Sequence, residues 1–145
     1  MNINALVVDD SGIMRKLVMR SLLEAKLASF IFTEAKDGLD ALNQFNPDTT
    51  NMIFLDWNMP NMNGIDLVRK IRTIQKKHVP IVMITTESTM GKVEEALDQA
   101  GADSFVVKPF TTEILKKKLE PLFDKLSEQS QKPEGFFSRL VNKVS

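Results

Sequence analysis

The chain has 145 residues and no formal net charge, with 19 Lys and Arg balanced by 19 Asp and Glu. That length suits one domain with a real core, and the charge balance argues against nucleic acid as a main ligand, because phosphate binders carry a basic excess. The lack of cysteine excludes a disulfide scaffold, a thiolate metal site and thiol catalysis, and the single histidine, His78, excludes a His-rich zinc site.

Five short apolar runs alternate with five amphipathic stretches. The first run, residues 5–8, ends at Asp9-Asp10, and Asp10 and Ser11 can cap a helix carrying Met14, Leu17, Val18, Ser21 and Leu22. The second run, 30–33, leads through the turn signal Asp37-Gly38 into Leu39, Ala41, Leu42 and Phe45, closed by Pro47. The third, 52–55, ends at Asp56 and precedes Ile65, Leu67, Val68, Ile71 and Ile74. The fourth, 81–85, ends at Thr85-Thr86-Glu87 and precedes Val93, Ala96, Leu97 and Ala100, stopped by Gly101. The fifth, 104–107, ends at Lys108-Pro109-Phe110 and precedes Ile114, Leu115, Leu119, Leu122, Phe123 and Leu126, with Pro121 inside as a source of a kink.

The runs are short, near-continuous and rich in Val, Ile and Phe, as in strands buried on both faces of a parallel sheet. Strand then helix, five times, predicts an α/β domain over residues 1–126 with right-handed crossovers and the flavodoxin-like strand order 2-1-3-4-5. Residues 127–135 hold no apolar residue and read as a polar linker. Residues 136–145 read as a short amphipathic helical segment. At about 100° per residue, Phe136, Phe137, Leu140, Val141 and Val144 share one face, with Arg139 and Lys143 at its border. This segment is expected to dock on its own domain or a partner, with disorder or contact with a membrane surface as the competing readings. The N-terminus has neither a basic head nor a cleavage pattern, and no apolar run approaches the roughly 18 residues of a membrane span, so a soluble cytoplasmic protein is expected.

In a doubly wound sheet, function sits where strands end. Asp9, Asp10, Asp56, Thr85 and Lys108 all end or follow strands, so three carboxylates, a hydroxyl and an ammonium gather at one edge. Clustered acids without His or Cys suit Mg²⁺, with Mn²⁺ as an alternative. Acids, a hydroxyl, a lysine and magnesium together suit a phosphoryl group, which a carboxylate can accept covalently. His78 precedes the fourth run, at the opposite end from the acids, and reads as a surface-loop residue. Lys116-Lys117-Lys118 reads as a solvated face.

The segments Leu6-Val7-Val8-Asp9-Asp10-Ser11, Asp56-Trp57-Asn58-Met59-Pro60-Asn61-Met62-Asn63-Gly64, Ile84-Thr85-Thr86-Glu87 and Val106-Val107-Lys108-Pro109-Phe110-Thr111 carry a family likeness. The sequence resembles a response-regulator receiver domain, specifically the single-domain chemotaxis regulators of the CheY type, from about residue 4 to residue 126. The resemblance implies that Asp56 accepts a phosphoryl group from a histidine kinase. It implies that Asp9, Asp10, Asp56 and the Asn58 backbone carbonyl hold Mg²⁺, and that Thr85 and Lys108 contact the phosphoryl group. It implies a cis Lys108-Pro109 bond, a rotameric switch at Phe105, where many relatives have Tyr, and tuning of hydrolysis by Asn58 and Glu87. The partner face would be the fourth helix, fifth strand and fifth helix of a monomer, and the target a flagellar motor switch. Such a protein is a phosphoacceptor rather than an enzyme, and too few residues follow Leu126 for a DNA-binding domain. Two competing readings are a Mg²⁺-dependent phosphohydrolase with an aspartyl-phosphate intermediate, and a receiver-like interaction module that is never phosphorylated.

Overall fold

The computed structural model describes residues 1–131 of the chain, so the segment at 136–145 and residues 132–135 of the linker lie outside the described residues. The strands are β1 (Asn2–Val8), β2 (Ser29–Ala35), β3 (Met52–Leu55), β4 (Ile81–Thr85) and β5 (Ser104–Val107). All pair in parallel, in the order β2-β1-β3-β4-β5. The helices are α1 (Gly12–Ala25), α2 (Gly38–Gln44), α3 (Gly64–Ile74), α4 (Met90–Glu94) and α5 (Thr112–Gln131). No helix among the described residues is long and apolar enough to cross a membrane.

Alternation along the strands divides the core between two faces. Leu6, Val8, Ile53, Leu55, Ile81, Met83 and Phe105 pack with residues of α2, α3 and the turn after α4. Ala5, Val7, Met52, Phe54, Val82, Ile84 and Val106 pack with residues of α1 and α5. The central strands β3 and β4 are buried throughout, whereas the edge strand β2 alternates. There Phe30 stacks on Phe32 at 5.1 Å and meets Phe123 of α5 edge-on at 6.0 Å. Leu17, Leu39, Ile74 and Ile114, read as part of the apolar stripes, are exposed at the borders of their helices.

Helix starts follow local chemistry. Side-chain oxygens of Ser11, Asp37, Asn63 and Thr89 each accept a backbone N–H from the first turn of α1, α2, α3 and α4. Ser11 alone caps α1, which leaves Asp10 available to the strand edge.

Two elements differ from expectation. The fourth helix is not one α-helix: α4 passes into a π-helical turn over Glu95–Ala100, closed by Gly101 at φ +90°. Ala96 and Ala100 of that wider turn are buried against the sheet. Second, α5 runs through Pro121 and on to Gln131, into the stretch read as a linker. Polar residues alone do not stop a helix.

The amino-terminal ends of β4 and β5 are closed by Arg72 of α3. Its guanidinium donates to the Gly101 carbonyl at 2.8 and 3.1 Å and the Val79 carbonyl at 2.6 Å, and pairs with Asp103 at 2.9 Å. Asp103 also accepts the Ile81 N–H at 2.7 Å and meets His78 Nε2 at 2.7 Å. His78 therefore lies at the end of the sheet opposite Asp56, with a carboxylate partner that its sequence context does not reveal. Burial lowers the pKa of Arg72 from its usual range, and Asp103 opposes that shift. Arg72→Met is expected to leave the Val79 and Gly101 carbonyls without this donor and to lower stability by about 2–3 kcal/mol, measured by urea unfolding.

Candidate functional site

Parallel strands end on the same edge, so residues distant in sequence meet there. Asp9 follows β1, Asp56 follows β3, Thr85 ends β4 and Lys108 follows β5. Asp9, Asp10 and Asp56 each offer a carboxylate oxygen, and the three oxygens lie within 4.8 Å of one another. The Lys108 ammonium sits 2.9 Å from Asp9 Oδ2 and 3.5 Å from Asp56 Oδ2. Asp9 is thus its closer partner, with Asp56 second. All three side chains are nearly out of solvent, at 9%, 7% and 12% exposure for Lys108, Asp9 and Asp56. Burial makes this pairing necessary, because an uncompensated charge here would be costly.

The second oxygen of each carboxylate is held by backbone. Asp9 Oδ1 accepts the Ser11 N–H at 2.9 Å, and Asp56 Oδ1 accepts the Trp57 N–H at 2.7 Å. These bonds fix the orientation of both groups. The donor set is three carboxylates, all oxygen, and it fits a hard divalent cation.

Around the acids, Thr85 is fully buried, and its Oγ1 accepts the Glu87 N–H at 3.4 Å. Asn58 donates from Nδ2 to Glu87 Oε1 at 3.0 Å, so these two side chains bridge the β3–α3 and β4–α4 loops. Phe105 is buried. Register places it opposite Met83 and Val107 opposite Thr85, so Thr85 and Phe105 share the sheet face toward the π-helical turn. The Lys108-Pro109 bond is cis.

The loop after Asp56 is constrained by close approach. Gly64 donates its N–H to the Trp57 carbonyl at 2.7 Å, and a Cβ there would press on the Asp56 carbonyl and lie 2.9 Å from Trp57 Cα. Asn61, at φ +70°, donates to Asp37 Oδ2 at 3.0 Å, while Asp37 Oδ1 caps α2 through the Asp40 N–H at 2.8 Å. The Asp40 N–H, then Asn61, lower the Asp37 pKa from its usual carboxylate value. Trp57 is buried beneath Lys92 of α4, whose ammonium lies 4.7 Å from the ring centroid. None of the Asp37, Asn61 and Lys92 contacts is signalled by spacing along the chain.

Residues 5–120 match the response regulator receiver domain. The chain belongs to that family. Among similar proteins, the receiver is 44% identical over 117 residues to chemotaxis protein CheY1 of Helicobacter pylori, covering 79% of this chain and 92% of that one. It is 38% identical over 123 residues to chemotaxis protein CheY of Pseudomonas aeruginosa, covering 84% and 97%. The solved structure of the Vibrio cholerae chemotaxis response regulator CheY4 superposes with a TM-score of 0.71 at 35% identity, covering 84% of this receiver and 99% of that chain.

Gly64→Ala is expected to displace the Asp56 peptide and lower stability by about 1–3 kcal/mol, as overpacking against backbone does, measured by urea unfolding. The lowered pKa of Asp37 sets a pH dependence of defined sign. Its contribution is complete above the ordinary carboxylate range and is lost as pH falls through the lowered folded value. Asp37→Ala should therefore flatten the fall of stability below about pH 4, read by thermal unfolding across pH.

Proposed function

We propose that this receiver is a phosphorylation-activated switch of a chemotaxis-type two-component system, acting in the cytoplasm. The observation that carries the reading is the convergence of Asp9, Asp10 and Asp56 with the buried ammonium of Lys108 at one sheet edge. Asp56 is the acceptor: its carboxylate attacks phosphorus, the P–N bond of a donor phosphohistidine breaks, and the imidazole leaves. Asp9, Asp10, Asp56 and the Asn58 carbonyl are the groups that would hold Mg²⁺, or Mn²⁺. When bound, such an ion neutralises charge on the transferring phosphoryl oxygens. Lys108, already beside Asp56, supplies a fixed positive charge for the same oxygens. The chain is an acceptor with self-hydrolysis only, not an enzyme with an external substrate, and Asn58 and Glu87, bonded to each other, tune that hydrolysis.

The same geometry supports a route outward. A phosphoryl group on Asp56 offers acceptor oxygens to the Thr85 hydroxyl, whose present partner is the Glu87 N–H at the long distance of 3.4 Å. Movement of Thr85 alters the space available to Phe105 on the same sheet face, and the surrounding surface changes with it. That surface carries the exposed apolar side chains Met90, Val107 and Ile114 on α4, β5 and α5. It suits a protein target such as a flagellar motor switch, and the similar chemotaxis proteins support a role in chemotaxis.

Incubation with Mg²⁺ and acetyl phosphate is expected to add the mass of one phosphoryl group. Asp56→Asn should abolish the addition, and Lys108→Met should leave an acceptor that no longer shifts Trp57 fluorescence on phosphorylation. A phosphoryl group on any other residue would overturn the assignment.

A further inference from the structure

Adjacent residues of an extended strand point to opposite faces. Asp9 and Asp10 nevertheless direct carboxylate oxygens into one cluster. The peptide between them must therefore leave the extended pattern and be held in its new plane. Asp9 is tied on both sides. Its N–H donates to the Ala35 carbonyl of β2 at 3.2 Å. Its carbonyl, which belongs to the Asp9–Asp10 peptide, accepts from Arg15 Nη1 at 2.6 Å.

Arg15 is itself anchored. Its Nε donates to Glu34 Oε1 at 2.9 Å, and Glu34 Oε2 takes Lys16 Nζ at 2.9 Å. The Arg15 side chain is mostly buried, at 18% exposure. Hydrogen bonds from Lys16, then Arg15, lower the Glu34 pKa, which keeps its carboxylate ionised. Glu34 precedes Ala35 on β2, so both restraints on Asp9 originate from the same two residues of the neighbouring strand.

We infer that Arg15, anchored by Glu34, is a positioning residue that fixes the Asp9–Asp10 peptide so that Asp10 points into the cation site. The inference rests on the divalent-cation reading of that site. The guanidinium also brings a positive charge near the cluster, and charge and position act in opposite directions. Removing a positive charge tightens the binding of a cation. Releasing the peptide weakens it, by the tenfold or more typical of supporting groups around metal ligands.

The test is a Mg²⁺ titration of the unphosphorylated protein, followed by the fluorescence of Trp57, its only tryptophan, and by calorimetry. Arg15→Met and Arg15→Lys should both raise the dissociation constant about tenfold, because lysine keeps the charge but cannot serve both Asp9 and Glu34. Glu34→Gln should raise it several-fold. The effect of Arg15→Met should shrink to nothing in an Asp10→Asn background, since Asp10 is the group being aimed; a general loss of structure would persist there. Thermal unfolding monitors folding, and Arg15→Lys decides if the methionine variant does not fold. Unchanged or tighter binding by Arg15→Met, or wild-type affinity in Arg15→Lys, overturns the inference while leaving the cation site intact. No Mg²⁺ binding by the wild-type protein overturns the cation site and the inference with it.

Discussion

One ammonium among three carboxylates is the constraint on which the rest of this receiver depends. Lys108 lies within 3.5 Å of two of the acids, and both carboxylates and the ammonium are almost fully shielded from water. Like charges packed so closely raise one another's energy unless compensated. The sheet order places the strand preceding Lys108 at one edge and the strand preceding Asp9 three positions away, so the long lysine side chain reaches inward past the ends of β4 and β3. The same compensation is only partial: one positive charge does not balance three negative ones. That residual negative charge is what makes the cluster a candidate cation site.

Around this charge cluster the protein limits motion with backbone rather than with more charge. Ser11 and Trp57 N–H groups hold one oxygen of Asp9 and of Asp56. Gly64 allows the start of α3 to lie directly against the Asp56 peptide. These contacts leave little freedom at the acceptor. The looser connections are peripheral: the Asn58–Glu87 bridge and the Lys92–Trp57 contact join the loop after Asp56 to the β4–α4 segment, and the long Thr85–Glu87 contact lies within that segment. A rigid centre with a weakly held neighbour is the arrangement a two-state switch requires.

Much of this could be read from the chain. The apolar runs at 52–55, 81–85 and 104–107 coincide with β3, β4 and β5 because buried parallel strands are continuous apolar segments with abrupt ends. Asp9, Asp10, Asp56, Thr85 and Lys108 stood out because each follows or ends such a run. What escaped was long-range or conformational. Arg15 looks like any helix-surface arginine, and only the β1–β2 pairing brings Glu34 to it. Asp37 looks like a turn residue until Asn61 meets it. The π-helical turn after α4 has no compositional mark, since Ala96 and Ala100 suit an ordinary helix equally well. The polar residues 127–131 suggest a linker, yet they continue α5, because polarity alone does not stop a helix.

The contact between Lys108 and Asp9 also bears on how the protein is made. It joins residues 99 apart in the chain, and it requires the last strand to be in place. During synthesis the carboxylates emerge first and their compensating ammonium last. A chain halted before β5 carries every acid of the site and none of its lysine, so it would hold an electrostatically frustrated edge. Assembly of the charge cluster is thereby tied to completion of the sheet: the site reaches its final electrostatic balance only once β5 has joined β4.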